Sequence, residues 1–113
     1  MGLKEYIFGF KSEEKAINFL KKLKFEIIDR NFKSKFGEID IIAKKDDVYH
    51  FIEVKATKGD YEAIYRITPQ KLEKILKTLN FYLLKNPEIT NYQVDALVFK
   101  KDKFKFIENI TIW

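Results

Sequence analysis

The fold is decided by Gly37 to Thr57, GEIDIIAKKDDVYHFIEVKAT. Residues 37–43 carry the branched apolar content of a strand, Lys44-Lys45-Asp46-Asp47 has turn chemistry, and residues 48–55 form a second strand. The apolar runs are interrupted by charge: Asp40 sits among isoleucines, and Glu53 and Lys55 flank Val54. An unpaired charge in a core is costly or neutralises itself, so these residues need a reason to be there. Side chains alternate along a strand, which predicts that Glu38 and Asp40 share one face while Ile39 and Ile41 take the other. On the next strand Glu53 and Lys55 share a face, opposite Ile52 and Val54, and the lone histidine, His50, sides with Ile52.

If the hairpin brings the charged faces together, two or three carboxylates and an ammonium meet. A carboxylate pair suits a hard divalent cation, Mg²⁺ or Mn²⁺. A lysine beside it can orient and help deprotonate a water, or stabilise a phosphate oxyanion. The alternative use of the same residues is an ion-pair cluster on a solvated sheet face.

The pattern Asp40…Glu53-Val54-Lys55 resembles the core signature of the PD-(D/E)XK nuclease superfamily. The fuller set is similar to the small bacterial YraN-type family, UPF0102, predicted endonucleases related to archaeal Holliday-junction resolvases. It comprises Gly9-x-x-Ser12-Glu13-x-x-Ala16, Asn31, Gly37 to Ala43, Phe51 to Lys55, Lys71 and Val94-Asp95. The resemblance implies a metal-dependent phosphodiesterase, with DNA as the expected substrate. Asp40 and Glu53 would hold Mg²⁺ or Mn²⁺, the Val54 carbonyl would be a further oxygen ligand, and Lys55 would position the attacking water. Glu13 is expected as an accessory metal or water ligand, and Glu38 as an additional one. Lys71 is the family's functional position at the start of the second helix, with Gln70 beside it. Where the family has Arg-Phe before the late aspartate, this chain has Gln93-Val94, so Asp95 is read as structural and paired with a basic residue. A resolvase-like homodimer preferring four-way junctions, and a non-catalytic nucleic-acid-binding module of the same fold, are the alternatives.

Composition sets the frame. The chain has 113 residues, 46% apolar and 16% aromatic, which fits one domain with a real core. There is no cysteine, which excludes disulfides and thiolate zinc sites. No apolar run approaches the ~20 residues of a membrane span, and the amino terminus lacks a signal peptide's apolar segment, so a cytoplasmic protein is expected. The net charge of +5 suits a polyanionic partner.

Working outward, Ser12 reads as an N-cap with Glu13 and Glu14 in the first turn of a helix to about Leu23. Its stripe is Ala16, Ile17, Phe19, Leu20 and Leu23; Glu13 falls at the stripe's edge and Glu14 points away. Residues 25–30 predict the first strand, and 31–36 a basic link whose Lys33 and Lys35 can meet phosphates. Residues 58–67 form a loop interleaving Tyr61, Tyr65 and Arg66, suited to stacking and phosphate contacts or to covering the core edge. Thr68-Pro69 opens a second helix with a stripe of Leu72, Ile75, Leu76, Leu79 and Leu83, leaving Gln70 opposite the core and Lys71 on the flank. Asn86-Pro87 ends it. Residues 93–99 predict a strand parallel to an earlier one, then a turn at 100–103 and an edge strand over 104–112. The expectation is an α/β domain, α-β-β-β-α-β-β, with a mixed sheet of four to five strands and a helix on each side.

Overall fold

In the computed structural model, the backbone is described for residues 3–57, 67–100 and 103–111, and side chains within those spans from residue 13 onward, Thr57 excepted. The expected Tyr61, Tyr65 and Arg66 contacts lie outside the described residues.

The order of elements is α1 (Leu3–Lys22), β1 (Glu26–Lys33), β2 (Glu38–Lys45), β3 (Val48–Thr57), α2 (Pro69–Lys85), β4 (Tyr92–Lys100) and β5 (Lys103–Ile107). The five strands form one mixed sheet in chain order. β1, β2 and β3 run antiparallel, β3 and β4 pair in parallel, and β5 returns antiparallel on β4. This is the expected α/β architecture. Asp46 and Asp47, with φ of 51° and 64°, make the β2–β3 turn in the left-handed region that Asp tolerates.

Each sheet face has its own core. Ala16, Ile17 and Leu20 of α1 pack on Ile41, Ala43, Ile52 and Leu97. Ile75, Leu79 and Tyr82 of α2 pack on Ile39, Ile42, Phe51, Val94 and Ala96. β4 is buried from Val94 to Phe99 because it is covered on both sides, which explains its unbroken apolar run.

Three boundaries and one buried stripe differ from expectation. α1 starts at Leu3, so Ser12 lies inside the helix and is no cap. Leu3, Ile7 and Phe10 continue the helical spacing of Ala16, Ile17 and Leu20, and Gly9 in between costs only about 1 kcal/mol. β1 runs on through Asn31, Phe32 and Lys33, because β2 offers a pairing edge to residues that alone read as a link. The second helix buries Thr78 and Tyr82, while Leu76 is 36% exposed. The last strand stops at Ile107; Asn109, at φ 55°, then turns the chain so that the Ile110 N–H donates to the Val94 carbonyl. The α2 start is as expected: Thr68 Oγ1 accepts the Lys71 N–H at 3.2 Å, with Pro69 in the first turn, a cap worth about 1 kcal/mol.

Candidate active site

The β2–β3 ladder ends at the Ile41–Ile52 pair, whereas β3 continues beside β4 as far as Thr57. Beyond that point the first three strands' edge is open, and Asp40 fills the gap. Its Oδ2 accepts the Val54 N–H at 2.8 Å, a bond the next rung of the ladder would otherwise have supplied. In an extended strand, N–H and C=O of one residue project from the same edge, so the Val54 carbonyl faces this gap too.

The simple alternation expected for β2 breaks here. Ile39 joins the core under α2 and Ile41 the core under α1, so the two do not share a face. The β1–β2 register stays regular from Ile41 to Glu38, while the Asp40 carboxylate bonds the Val54 amide where the β2–β3 ladder ends. On β3 the alternation holds. Ile52 and Val54 pack on the α1 side, while Glu53 and Lys55 line a cavity on the α2 side.

That cavity, about 140 Å³, is walled by Gly37, Glu38, Glu53, Lys55, Ile67, Lys71, Lys74 and Ile75. Lys55 Nζ lies 3.3 Å from Glu53 Oε1, with side chains 20% and 16% exposed. Asp40 and Glu53 are close enough for each to act on the other's ionisation. Burial, then the negative charge of Glu53, pushes the Asp40 carboxyl up to about 8; the Val54 N–H and Lys55 only partly counter this. Glu53 is also raised by burial, with Lys55, Asp40 and the more distant charge of Lys71 opposing. Two half-buried carboxyls thus lie beside the Lys55 ammonium, and Asp40 keeps its proton near neutral pH. This donor set fits a divalent cation. It has two carboxylate oxygens and a carbonyl edge at one gap, and the proton held there is what a cation would displace.

The other predicted residues fall as follows. Glu38 is on the cavity wall and adds negative charge around Asp40. Glu13 is held elsewhere: its Oε1 accepts from Asn31 Nδ2 at 2.8 Å and lies 3.9 Å from Arg30, whose guanidinium also bonds Glu14 at 2.5 Å. Asn31 lies between the pairs Arg30–Ile41 and Phe32–Ile39, opposite Asp40 in the register, but Glu13 itself is engaged by Asn31 and Arg30 and does not line the cavity. Among the described residues no three acidic or histidine side chains gather as a ready ligand set. Asp40 and Glu53 stand as a pair. Lys71 lines the cavity, whereas Gln70 is exposed and does not. Lys33 pairs with Glu38 across the β1–β2 ladder, and the Lys35 ammonium sits over the Phe36 ring. Lys74 was missed; its signal was its position one helical turn after Lys71.

Asp95 and His50 lie apart from this pair. Asp95 is fully buried and accepts from Gln93 Nε2 at 2.8 Å and the Asn109 N–H at 3.0 Å, and its Oδ2 is 2.6 Å from His50 Nδ1. His50 packs edge-on to Phe25, on the α1 side with Ile52. Asp95 is thus paired with a basic side chain and His50 takes the side of Ile52, as expected.

Residues 12–106 match the family described as "Uncharacterised protein family UPF0102". A UPF0102 protein of Campylobacter fetus is 59% identical over 111 residues, covering 98% of this chain and 99% of its own. One from Campylobacter hominis is 59% identical over 112 residues (99% and 100%), and one from Campylobacter jejuni 57% over 111 (98% and 99%).

Proposed function

The chain belongs to the UPF0102 family, and we propose that it is a metal-dependent nucleic-acid phosphodiesterase, an endonuclease acting on DNA. The observation that carries this reading is the Asp40–Glu53 carboxyl pair set where the β2–β3 ladder opens, Asp40 raised by the charge of Glu53, with Lys55 3.3 Å from Glu53. Asp40, Glu53 and the Val54 carbonyl would hold Mg²⁺ or Mn²⁺. Such an ion supplies Lewis acidity to a phosphate oxygen and lowers the pKa of a water.

The protein's own groups do the rest. Lys55 places a fixed positive charge beside the carboxylates, where it offsets charge developing on a phosphate and donates a hydrogen bond to an attacking water. Lys71 and Lys74, on the cavity wall, hold the phosphates of the same strand. The open end of the ladder leaves room for a backbone phosphate to approach Asp40 and Glu53. The net charge of +5 favours such a polyanion. Acting on chromosomal DNA, the protein would work in the cytoplasm; no described helix is long and apolar enough to cross a membrane.

A panel of plasmid, branched and single-stranded DNA with Mg²⁺ or Mn²⁺, using wild type, Asp40→Ala and Lys55→Ala, tests the proposal. Cleavage by wild type alone is expected. Equal cleavage by all three proteins would trace the activity to a contaminant and remove the assignment.

A further inference from the structure

We propose that Phe36, flanked by Lys35 and Lys77 at the mouth of the cavity, is a stacking platform for an unpaired nucleotide of the bound strand. The inference rests on the nucleic-acid reading above and deepens it: the substrate is single-stranded, or locally unpaired, beside the phosphate that enters the cavity.

Phe36 precedes Gly37, which lines the cavity. Its position is fixed by the backbone. The Phe36 N–H donates to Ser34 Oγ at 3.0 Å, and the Ser34 N–H donates to the Gly37 carbonyl at 2.8 Å. Ser34 Oγ lies 2.9 Å from Thr78 Oγ1, which is itself fully buried and donates to the Lys74 carbonyl at 3.0 Å. The turn is seated close against α2, since a Cβ at Gly37 would lie 3.4 Å from Lys74 Cβ. A turn held this firmly could bury its aromatic ring, yet Phe36 is 37% exposed.

Around the ring is positive charge. Lys35 Nζ lies 5.2 Å and Lys77 Nζ 5.9 Å from its centroid, and Lys77 also pairs with exposed Glu73 at 3.3 Å. Lysines 71, 74 and 77 recur every third residue on α2. They lead from the cavity wall to the ring over about 9 Å of helix. This is a short basic track ending at an aromatic face.

Such a combination discriminates between strand states. In a duplex, base faces are occupied by their neighbours, so only the lysines would find partners. An unpaired base can lay its face on the ring while the ammoniums over it swing to the flanking phosphates. Stacking accepts any base, so the platform selects for unpaired character rather than for sequence.

Binding is measured by fluorescence anisotropy in EDTA, where no cleavage occurs. The probes are labelled oligonucleotides of about 20 residues: single-stranded DNA, RNA of the same sequence, the DNA duplex, and a strand carrying abasic sites. Phe36→Ala is expected to weaken binding to single strands about 5- to 100-fold. Its affinity for the duplex and the abasic strand should stay within about 2-fold. Phe36→Trp should retain single-strand affinity, and Phe36→Leu, which keeps bulk without a π face, should behave as alanine does. Lys77→Ala should reduce the salt slope by about 0.7, while Phe36→Ala leaves it unchanged. The DNA and RNA arms identify which strand the platform accepts. Equal loss on duplex and single strand, no loss in Phe36→Ala, or Phe36→Leu binding as well as wild type would overturn the platform. Failure of the wild type to bind any probe would overturn both this and the nuclease reading. Single-strand binding through Phe36 without cleavage in Mg²⁺ or Mn²⁺ would remove only the nuclease reading. Cleavage by a protein whose Phe36→Ala variant binds normally would remove only the platform.

Discussion

Replacing Asp40 by asparagine should stabilise the metal-free protein more at pH 8 than at pH 5. The Asp40 carboxyl is raised from 3.8 to about 8, chiefly by burial and next by Glu53. Below pH 3.8 both folded and unfolded chains keep the proton, and burial exacts no ionisation penalty. As pH climbs, the unfolded chain releases the proton while the folded one retains it, so stability drains away until the folded carboxyl itself ionises near 8. The interval from 3.8 to about 8, at roughly 1.36 kcal/mol per pH unit, sets a ceiling of about 6 kcal/mol. By pH 5 only about 1.6 kcal/mol of that has gone, so the variant's advantage should grow by up to about 4 kcal/mol between pH 5 and pH 8.

Asparagine keeps an oxygen to accept the Val54 N–H, now 2.8 Å from Asp40 Oδ2, and cannot ionise. In EDTA, the melting advantage of Asp40→Asn over wild type should therefore be up to about 15 °C larger at pH 8 than at pH 5. With Mg²⁺ added the order should reverse, since a cation that binds only the folded wild type stabilises it by mass action. Thermal melts at the two pH values decide the matter. A difference between variant and wild type that is the same at pH 5 and pH 8 would refute the reasoning, because it would tie the effect to packing and not to a buried charge.

Three further outcomes follow from the same coordinates. Lys55→Ala removes the cation 3.3 Å from Glu53, so the Glu53 carboxyl rises further; metal-dependent cleavage should fall at least about 10-fold, while Mn²⁺ affinity, read by calorimetry, should not fall. Asp95→Ala strands the ring of His50, the amide of Gln93 and the N–H of Asn109, and should cost about 3–5 kcal/mol in urea denaturation; Asp95→Asn should cost less. Lys71→Ala with Lys74→Ala should flatten the salt dependence of DNA binding by about 1.4 in log–log slope while leaving the melting temperature nearly unchanged.

What the sequence disclosed was local chemistry. Thr68-Pro69 announces a helix start because hydroxyl and imino ring do the same job in any context, and the cap is there. His50, Ile52 and Val54 against Glu53 and Lys55 could be sorted by parity because β3 keeps a regular pleat in the parallel ladder with β4. The errors fall where tertiary neighbours overrule local preference. Ser12-Glu13-Glu14 has the composition of a helix start, yet α1 is already running. Asn31 and Lys33 look like loop residues until β2 supplies a ladder for them. Tyr82 carries a hydroxyl that suggests the surface, but it continues the row of Ile75 and Leu79 and its ring meets Phe32 and Phe51 edge-on, while Leu76 is left 36% exposed.

The site itself was half legible, and the illegible half explains its chemistry. Parity alone brings Glu38 beside Asp40 and predicts a broad acidic face, which water would solvate and which would cost little. The structure instead ends the β2–β3 ladder at Ile41–Ile52 and uses the next carboxylate to occupy a backbone donor. Asp40 is drawn off the open face and into the sheet, where the negative charge of Glu53 raises it. An ion-pair network built for stability would place its cation between the two acids; here Lys55 is paired to Glu53, and Asp40 is left raised to about 8. A residue that had only to satisfy the Val54 N–H could be asparagine at no ionisation cost. Retaining an acid there, against a penalty of kcal/mol size, makes physical sense when a doubly charged ligand takes the place of the proton.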